Sequence, residues 1–182
     1  MNRKKSERIV KEIVKDINNT INELRRINLI RDERGLSEKM TGVDSFEISF
    51  SGKTSANSIM MDKNVSAFNV MNKLLQERQY TILLYDKGIE QAEFCIKNGE
   101  LVKERLVFLK RHNQIWEKKE IQHADAEDED WFAEEGIPVF IRIDYDPFEH
   151  IECDHPSAHL TLSNYESCRI PMKNVVSFSL FI

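Results

Sequence analysis

Between residues 3 and 30, apolar side chains recur at steps of three and four: Ile9, Val10, Ile13, Val14, Ile17, Ile21, Leu24, Ile27 and Leu29. That spacing matches the 3.6-residue period and predicts one long amphipathic helix, with charged residues on its other face. Asn18, Asn19 and Thr20 weaken its middle, because their side chains compete for backbone hydrogen bonds. The stripe resembles a short heptad seam, suited to a partner helix or to the chain's own sheet. Gly35 to Gly42 reads as a linker. The period then drops to two. Phe46, Ile48 and Phe50 alternate with polar neighbours, the mark of a half-buried strand.

Asn64 to Gln79 returns to helical spacing, with Val65, Phe68, Met71, Leu74 and Leu75 on one face and Asn64 or Ser66 as the cap. Strands follow at Thr81–Tyr85, Gln91–Ile96 and Leu101–Leu109. Asp86-Lys87-Gly88 and Asn98-Gly99 form the turns between them. Leu101, Leu106 and Phe108 are core candidates. Ile137–Tyr145 alternates again and closes at Asp146-Pro147. Ala158–Leu162 and Cys168–Met172 read as short strands, and Asn174 as the cap of a final helix, Val175–Ile182. Strands in runs without intervening helices predict an α+β fold, with an antiparallel sheet of five to seven strands. The helices of residues 3–30 and 64–79 are expected to cover one face of it. Residues 1–182 read as a single domain, with an N-terminal helical segment (1–34) and an acidic insertion between strands (112–136).

The 182 residues, 41% hydrophobic and 31% charged, suffice for one domain with a core of its own. A net charge of -5 argues against a chain built mainly to coat nucleic acid. No run of about 18 apolar residues predicts a membrane span, and no signal-type stretch follows the basic start. Cys95, Cys153 and Cys168 include no Cys-x-x-Cys pair, which fits a reducing, cytoplasmic setting rather than a disulfide framework. Charge is uneven, however. Residues 3–34 carry ten Lys or Arg against six Asp or Glu, whereas residues 117–135 carry nine acids and two Lys. The acidic stretch reads as a solvated excursion docked back by Trp131-Phe132, or as a surface for a basic partner. It lacks the calcium-loop pattern. Gly52-Lys53-Thr54 lacks the upstream glycine of a phosphate loop, position 47 being Glu, and reads as a plain turn.

Reactive side chains concentrate near the C-terminal end, in Arg142-Ile143-Asp144-Tyr145-Asp146-Pro147, His155-Pro156-Ser157-Ala158-His159-Leu160 and Cys168-Arg169-Ile170-Pro171. Arg142 and Asp144 share a strand face, opposite Ile141 and Ile143. They predict a solvent-side salt bridge or the floor of a cleft. His155 and His159, with Asp144, Asp146 or Asp154, form a candidate site for a divalent metal that activates water. Cys153, His155, His159 and Cys168 form a second, softer set with no standard zinc spacing. A third arrangement needs no metal: a histidine as acid/base and Arg142 or Arg169 on a phosphate. Against these stands a structural hydrogen-bond network at strand ends, with Pro147, Pro156 and Pro171 fixing the turns. Cys168 has no identifiable base and is not read as a nucleophile.

At these residues the chain resembles an uncharacterised bacterial domain-of-unknown-function family. The likeness lies in Arg142-x-Asp144-Tyr145-Asp146-Pro147, His155-Pro156-x-x-His159-Leu160 and Cys168-Arg169-Ile170-Pro171, with a weaker part over Tyr80–Leu109. The resemblance implies a small, bacterial, cytosolic protein without an assigned activity, in some cases near phage-defence genes. It also implies a longer Phe- and Ile-rich final helix than the one ending at Phe181-Ile182. Two functions follow as expectations. One is an accessory or adaptor protein of a phage-defence or toxin–antitoxin type system, holding a protein partner through the N-terminal helix or the acidic insertion. The other is a small phosphodiester hydrolase acting on nucleic acid. It would use Asp144, His155 and His159 as metal ligands or acid/base groups, and Arg142 and Arg169 on phosphate.

Overall fold

The computed structural model describes residues 2–54, 67–110, 139–151, 156–162 and 169–182. Helix α1 spans Asn2–Arg26. Its apolar stripe is spent inside the chain: Val10, Ile17, Ile21 and Leu24 are buried, with Ile9, Ile13 and Val14 packed beside them. The helix stops four residues before the expected end, and the hydrogen bonds show why. Asn28 takes a φ of 56°, its N–H donates to the Arg25 carbonyl at 2.9 Å, and the Leu29 N–H donates to Leu24 at 3.0 Å. This is a Schellman C-cap, with asparagine in the left-handed position. Ile27 and Leu29 fall outside the helical stripe and are exposed.

The chain then enters β1 (Ile30–Glu33) and β2 (Leu36–Gly42), where a linker was expected. Strand β2 forms a ribbon with β3 (Ser45–Phe50), from Leu36 opposite Phe50 to Gly42 opposite Ser45. Five of its seven residues are exposed, so it lacks the alternation by which a strand is recognised in sequence. Helix α2 covers Ala67–Gln76 and closes with a second Schellman cap at Arg78, φ 51°. Strands β4 (Ile82–Leu84), β5 (Ile89–Lys97), β6 (Glu100–Lys110), β7 (Val139–Tyr145), β8 (Ala158–Leu162) and β9 (Arg169–Pro171) follow. The Asn98-Gly99 turn has both residues at positive φ, 53° and 78°, as a tight right-twisted hairpin requires. The final helix, α3, is only Phe178–Phe181, preceded by extended Ser177 rather than capped at Asn174.

The fold is α+β, with a nine-stranded antiparallel sheet in the order β1-β4-β5-β6-β7-β8-β9. One edge of β5 is shared end to end: β4 pairs at Ile89–Glu90, and β3 pairs at Phe94–Lys97. The two long helices do not share a face. Val10, Ile17 and Ile21 of α1 pack with Ile48, Ala92, Phe94, Leu106 and Ile143. Val70, Met71 and Leu74 of α2 pack with Leu83, Ile89, Val107, Leu109 and Phe140. Leu106 and Val107 have opposite parity on β6, so the central strands are apolar on both sides and each side takes a helix. Ser6 pins the start of α1 to two turns. Its hydroxyl donates to the Asp44 carbonyl at 3.1 Å and accepts from the Gly99 N–H at 2.8 Å. Lys53 is tied to Glu47 and Glu93 at 3.1 and 2.8 Å, in a turn rather than a phosphate cradle. Among the described residues no helix is long and apolar enough to cross a membrane. The acidic insertion, Asn64, Val65, Ser66, Cys153, Asp154, His155 and Cys168 lie outside the described residues.

Candidate functional site

Strand register places the candidate side chains in two adjacent rows on the α2 face of the sheet. One row runs Arg105, Asp144, His159, Pro171, and the next runs Val107, Arg142, Thr161, Arg169. Arg142 and Asp144 point away from α1, as their parity with Ile141 and Ile143 predicts. Asp144 sits at the centre. Arg105 Nε donates to its Oδ1 at 2.9 Å, and Arg142 Nε donates to its Oδ2. His159 Nε2 lies 3.6 Å from Oδ2, beyond hydrogen-bond distance. The His159 Nδ1 lies 3.1 Å from the Pro156 carbonyl oxygen, which can only accept, so Nδ1 carries the hydrogen. The Arg142 guanidinium also stands 5.9 Å from the Phe140 ring centroid, within cation–π range.

Asp144 is 8% exposed and His159 2%. Burial alone would raise the Asp144 pKa. The charges of Arg142 and Arg105, and the hydrogen bonds from both, outweigh it and hold the carboxyl below its usual range. Asp144 is therefore a carboxylate with each oxygen already taken by a guanidinium. Such a group is a poor general base, and a metal would have to compete with two guanidinium charges for its remaining lone pairs. The structure brings together Arg142, Asp144 and His159 and adds Arg105. Arg169 stands one row away, beside Thr161. Its Nε and the Thr161 Oγ1 are buried and, among the described residues, have no hydrogen-bond partner. Among the described residues no group of three His, Cys, Asp or Glu is placed to hold a metal ion.

Arg105 escaped the sequence reading because it lies inside an ordinary strand pattern, and only the β6–β7 register sets it opposite Asp144. Two buried acids on the α1 face escaped it too. Glu104 is fully buried, neither carboxyl oxygen is hydrogen-bonded among the described residues, and burial raises its pKa to about 8. Glu90 is 3% exposed, with Oε2 unpartnered among the described residues. Burial, helped by the charge of Asp86, raises its pKa to about 7. Their signal was legible as Glu at an inward parity, once the strand faces are known.

A basic stripe runs along the exposed side of α1. Lys4, Arg8, Lys11 and Lys15 follow one another at helical spacing, opposite buried Val10, Ile17 and Ile21. At 1.5 Å per residue the stripe is about 17 Å long. Arg8 makes an exposed pair with Glu12 at 3.7 Å.

The family model described as "Uncharacterized conserved protein (DUF2290)" matches residues 29–182, beginning just after α1. No curated protein and no solved structure matches the chain.

Proposed function

The chain belongs to the DUF2290 family of conserved proteins, and we propose that it is an accessory protein that works by holding a partner rather than by turning over a substrate. The observation that carries this reading is the closed state of Asp144, buried and hydrogen-bonded on both oxygens by Arg105 and Arg142. A catalytic constellation keeps its carboxylate available to a reacting proton or a metal. This one spends it on two guanidinium groups and so works as a cross-strand brace between β6 and β7. The partner surface is the solvent side of α1, because the apolar side of that helix is already covered. Lys4, Arg8, Lys11 and Lys15 form a narrow cationic strip bordered by Glu7 and Glu12. Such a strip suits an acidic protein surface better than the broad phosphate lattice of a duplex. A phage-defence or toxin–antitoxin type system is the setting we propose for that partner, on the strength of the family resemblance.

The test is photo-crosslinking in the source cell from position 11, in the wild-type background and with Arg8→Glu/Lys15→Glu. One dominant protein adduct with an acidic contact surface, lost on charge reversal, is the expected result. Wild-type protein that leaves RNA and DNA intact belongs with it. Cleavage of either nucleic acid, abolished by Asp144→Asn in a folded variant, would overturn the reading.

The hydrolase reading keeps one observation in its favour. Thr161 Oγ1 and Arg169 Nε are adjacent buried donors without partners among the described residues, and phosphate oxygens would satisfy them. It predicts phosphate binding that Arg169→Gln abolishes.

A further inference from the structure

On the opposite face of the sheet, a cavity of about 800 Å³ opens between the C-terminal half of α1, the strands and α3. That volume lies in the range of small-molecule sites. Its walls are mostly aliphatic and aromatic, with Leu24, Phe108, Ile143 and Phe181 among them. Two lining side chains are acidic, and among the described residues that line it none is Lys, Arg or His. The two acids differ. Glu23 at the rim is exposed and already accepts hydrogen bonds from Arg26, Nε at 3.0 Å. Glu90 is 3% exposed, and among the described residues its Oε2 has no hydrogen-bond partner. A buried acceptor left unmade is costly, and a ligand donor that reaches it regains that cost. The register explains how the acid comes to be there. Glu90 pairs with Ile82 and Phe108 and shares the α1 side of the sheet with Ala92 and Phe94.

We propose that this cavity binds a small molecule with an apolar body and one ammonium group, the ammonium seated on Glu90. An ammonium fits better than a neutral hydroxyl, because the lining offers negative charge and no cation to compete. A carboxylate ligand is excluded by the same charges. The acid's raised pKa agrees with this: a site that holds a lone carboxyl at high cost gains most from a cation. The site is independent of the basic stripe on α1, and each stands or falls without the other.

Octylammonium, 1-octanol and octanoate are suitable probes for calorimetric titration of the full chain. Octylammonium is expected to bind at least tenfold more tightly than octanoate, as a charge-assisted hydrogen bond warrants. Glu90→Gln should reduce that affinity about tenfold and leave octanol unchanged. Equal binding of the three probes, no binding, or an ammonium affinity unmoved by Glu90→Gln would each overturn the proposal. Should Glu90→Gln fail to fold, Leu180→Lys replaces it. Leu180 is an exposed rim residue, and the new cation should weaken octylammonium severalfold while sparing octanol; an unmoved ammonium affinity there also overturns the proposal. Sedimentation of the same samples separates another occupant. A dimer that closes the cavity and excludes all probes would assign it to a second copy of the chain and overturn the ligand reading.

Discussion

Replacing Glu104 with glutamine should change how stability depends on pH. Glu104 faces α1 from the middle of the sheet, opposite Phe94 and Tyr145, with neither oxygen hydrogen-bonded among the described residues. Its pKa is raised from 4.5 to about 8 by burial. The folded protein therefore holds a proton that the unfolded chain releases near 4.5. Between those values the folded state binds more protons than the unfolded one, so stability falls as pH rises. The fall begins near pH 4.5 and is complete above about 8. A difference of roughly 3.5 pKa units corresponds to about 5 kcal/mol. Against a typical total of about 5–15 kcal/mol, that is a large share. Glu90, raised to about 7, adds about 3 kcal/mol with the same sign.

Urea unfolding followed by far-UV circular dichroism from pH 5 to pH 9 measures this directly. Wild-type stability should decline across the range, most steeply between pH 5 and 8. Glutamine resembles the protonated acid, so Glu104→Gln should nearly match the wild type at pH 5 and exceed it by several kcal/mol at pH 9. Only the smaller Glu90 slope should remain, and Glu90→Gln/Glu104→Gln should be almost flat. A wild type with no decline, or a Glu104→Gln variant that follows the wild-type slope, would refute the reasoning.

Asp144→Asn leaves the buried Arg142 and the half-buried Arg105 without their carboxylate and should cost about 3 kcal/mol at neutral pH, read by the same urea titration. Because the Asp144 pKa is lowered, its contribution is present above the unfolded value near 3.8 and is lost as pH falls below it, so the variant should lack that part of the acid transition. Ser6→Ala removes both bonds that tie α1 to the Asp44 and Gly99 turns and should lower stability by about 1–3 kcal/mol, seen as a lower thermal midpoint. Gly99→Ala should cost about 1–2 kcal/mol in urea unfolding, since φ at Gly99 is +78° and the left-handed region disfavours a Cβ.

Where one face of an element is buried and the other wet, the sequence pattern located it. The stripe of α1 was legible for that reason, and the Asn98-Gly99 turn because its residues favour positive φ. Strand β2 was not, because pairing with β3 is what makes it a strand and most of its side chains are exposed. The end of α1 was not, because a left-handed Asn28 stops the helix while apolar residues continue past it. The placement of α2 was not either. Leu83, Ile89, Val107 and Leu109 face one way, and Ile82, Ala92 and Leu106 the other, and a sheet apolar on both sides carries no mark of which helix belongs where.

The candidate site shows the same limit in chemical form. Arg142, Asp144 and His159 were recognisable by type, and parity alone put the first two on one face. Their role turned on a residue from another strand. With Arg105 opposite Asp144, the carboxylate becomes the shared acceptor of two guanidinium groups. Without it, the Asp144 Oδ1 would be open to a proton or a metal, as a general base requires. Register is set by pairing across the whole sheet, and no local motif encodes it. The distinction between brace and catalyst is thus a property of the β6–β7 ladder, and Arg105→Met tests it. If the ladder decides, that change should free the Asp144 Oδ1, raise the carboxyl pKa and lower stability without creating cleavage of RNA or DNA. A cleaving Arg105→Met variant would show that the cluster is a catalytic site held closed by one arginine.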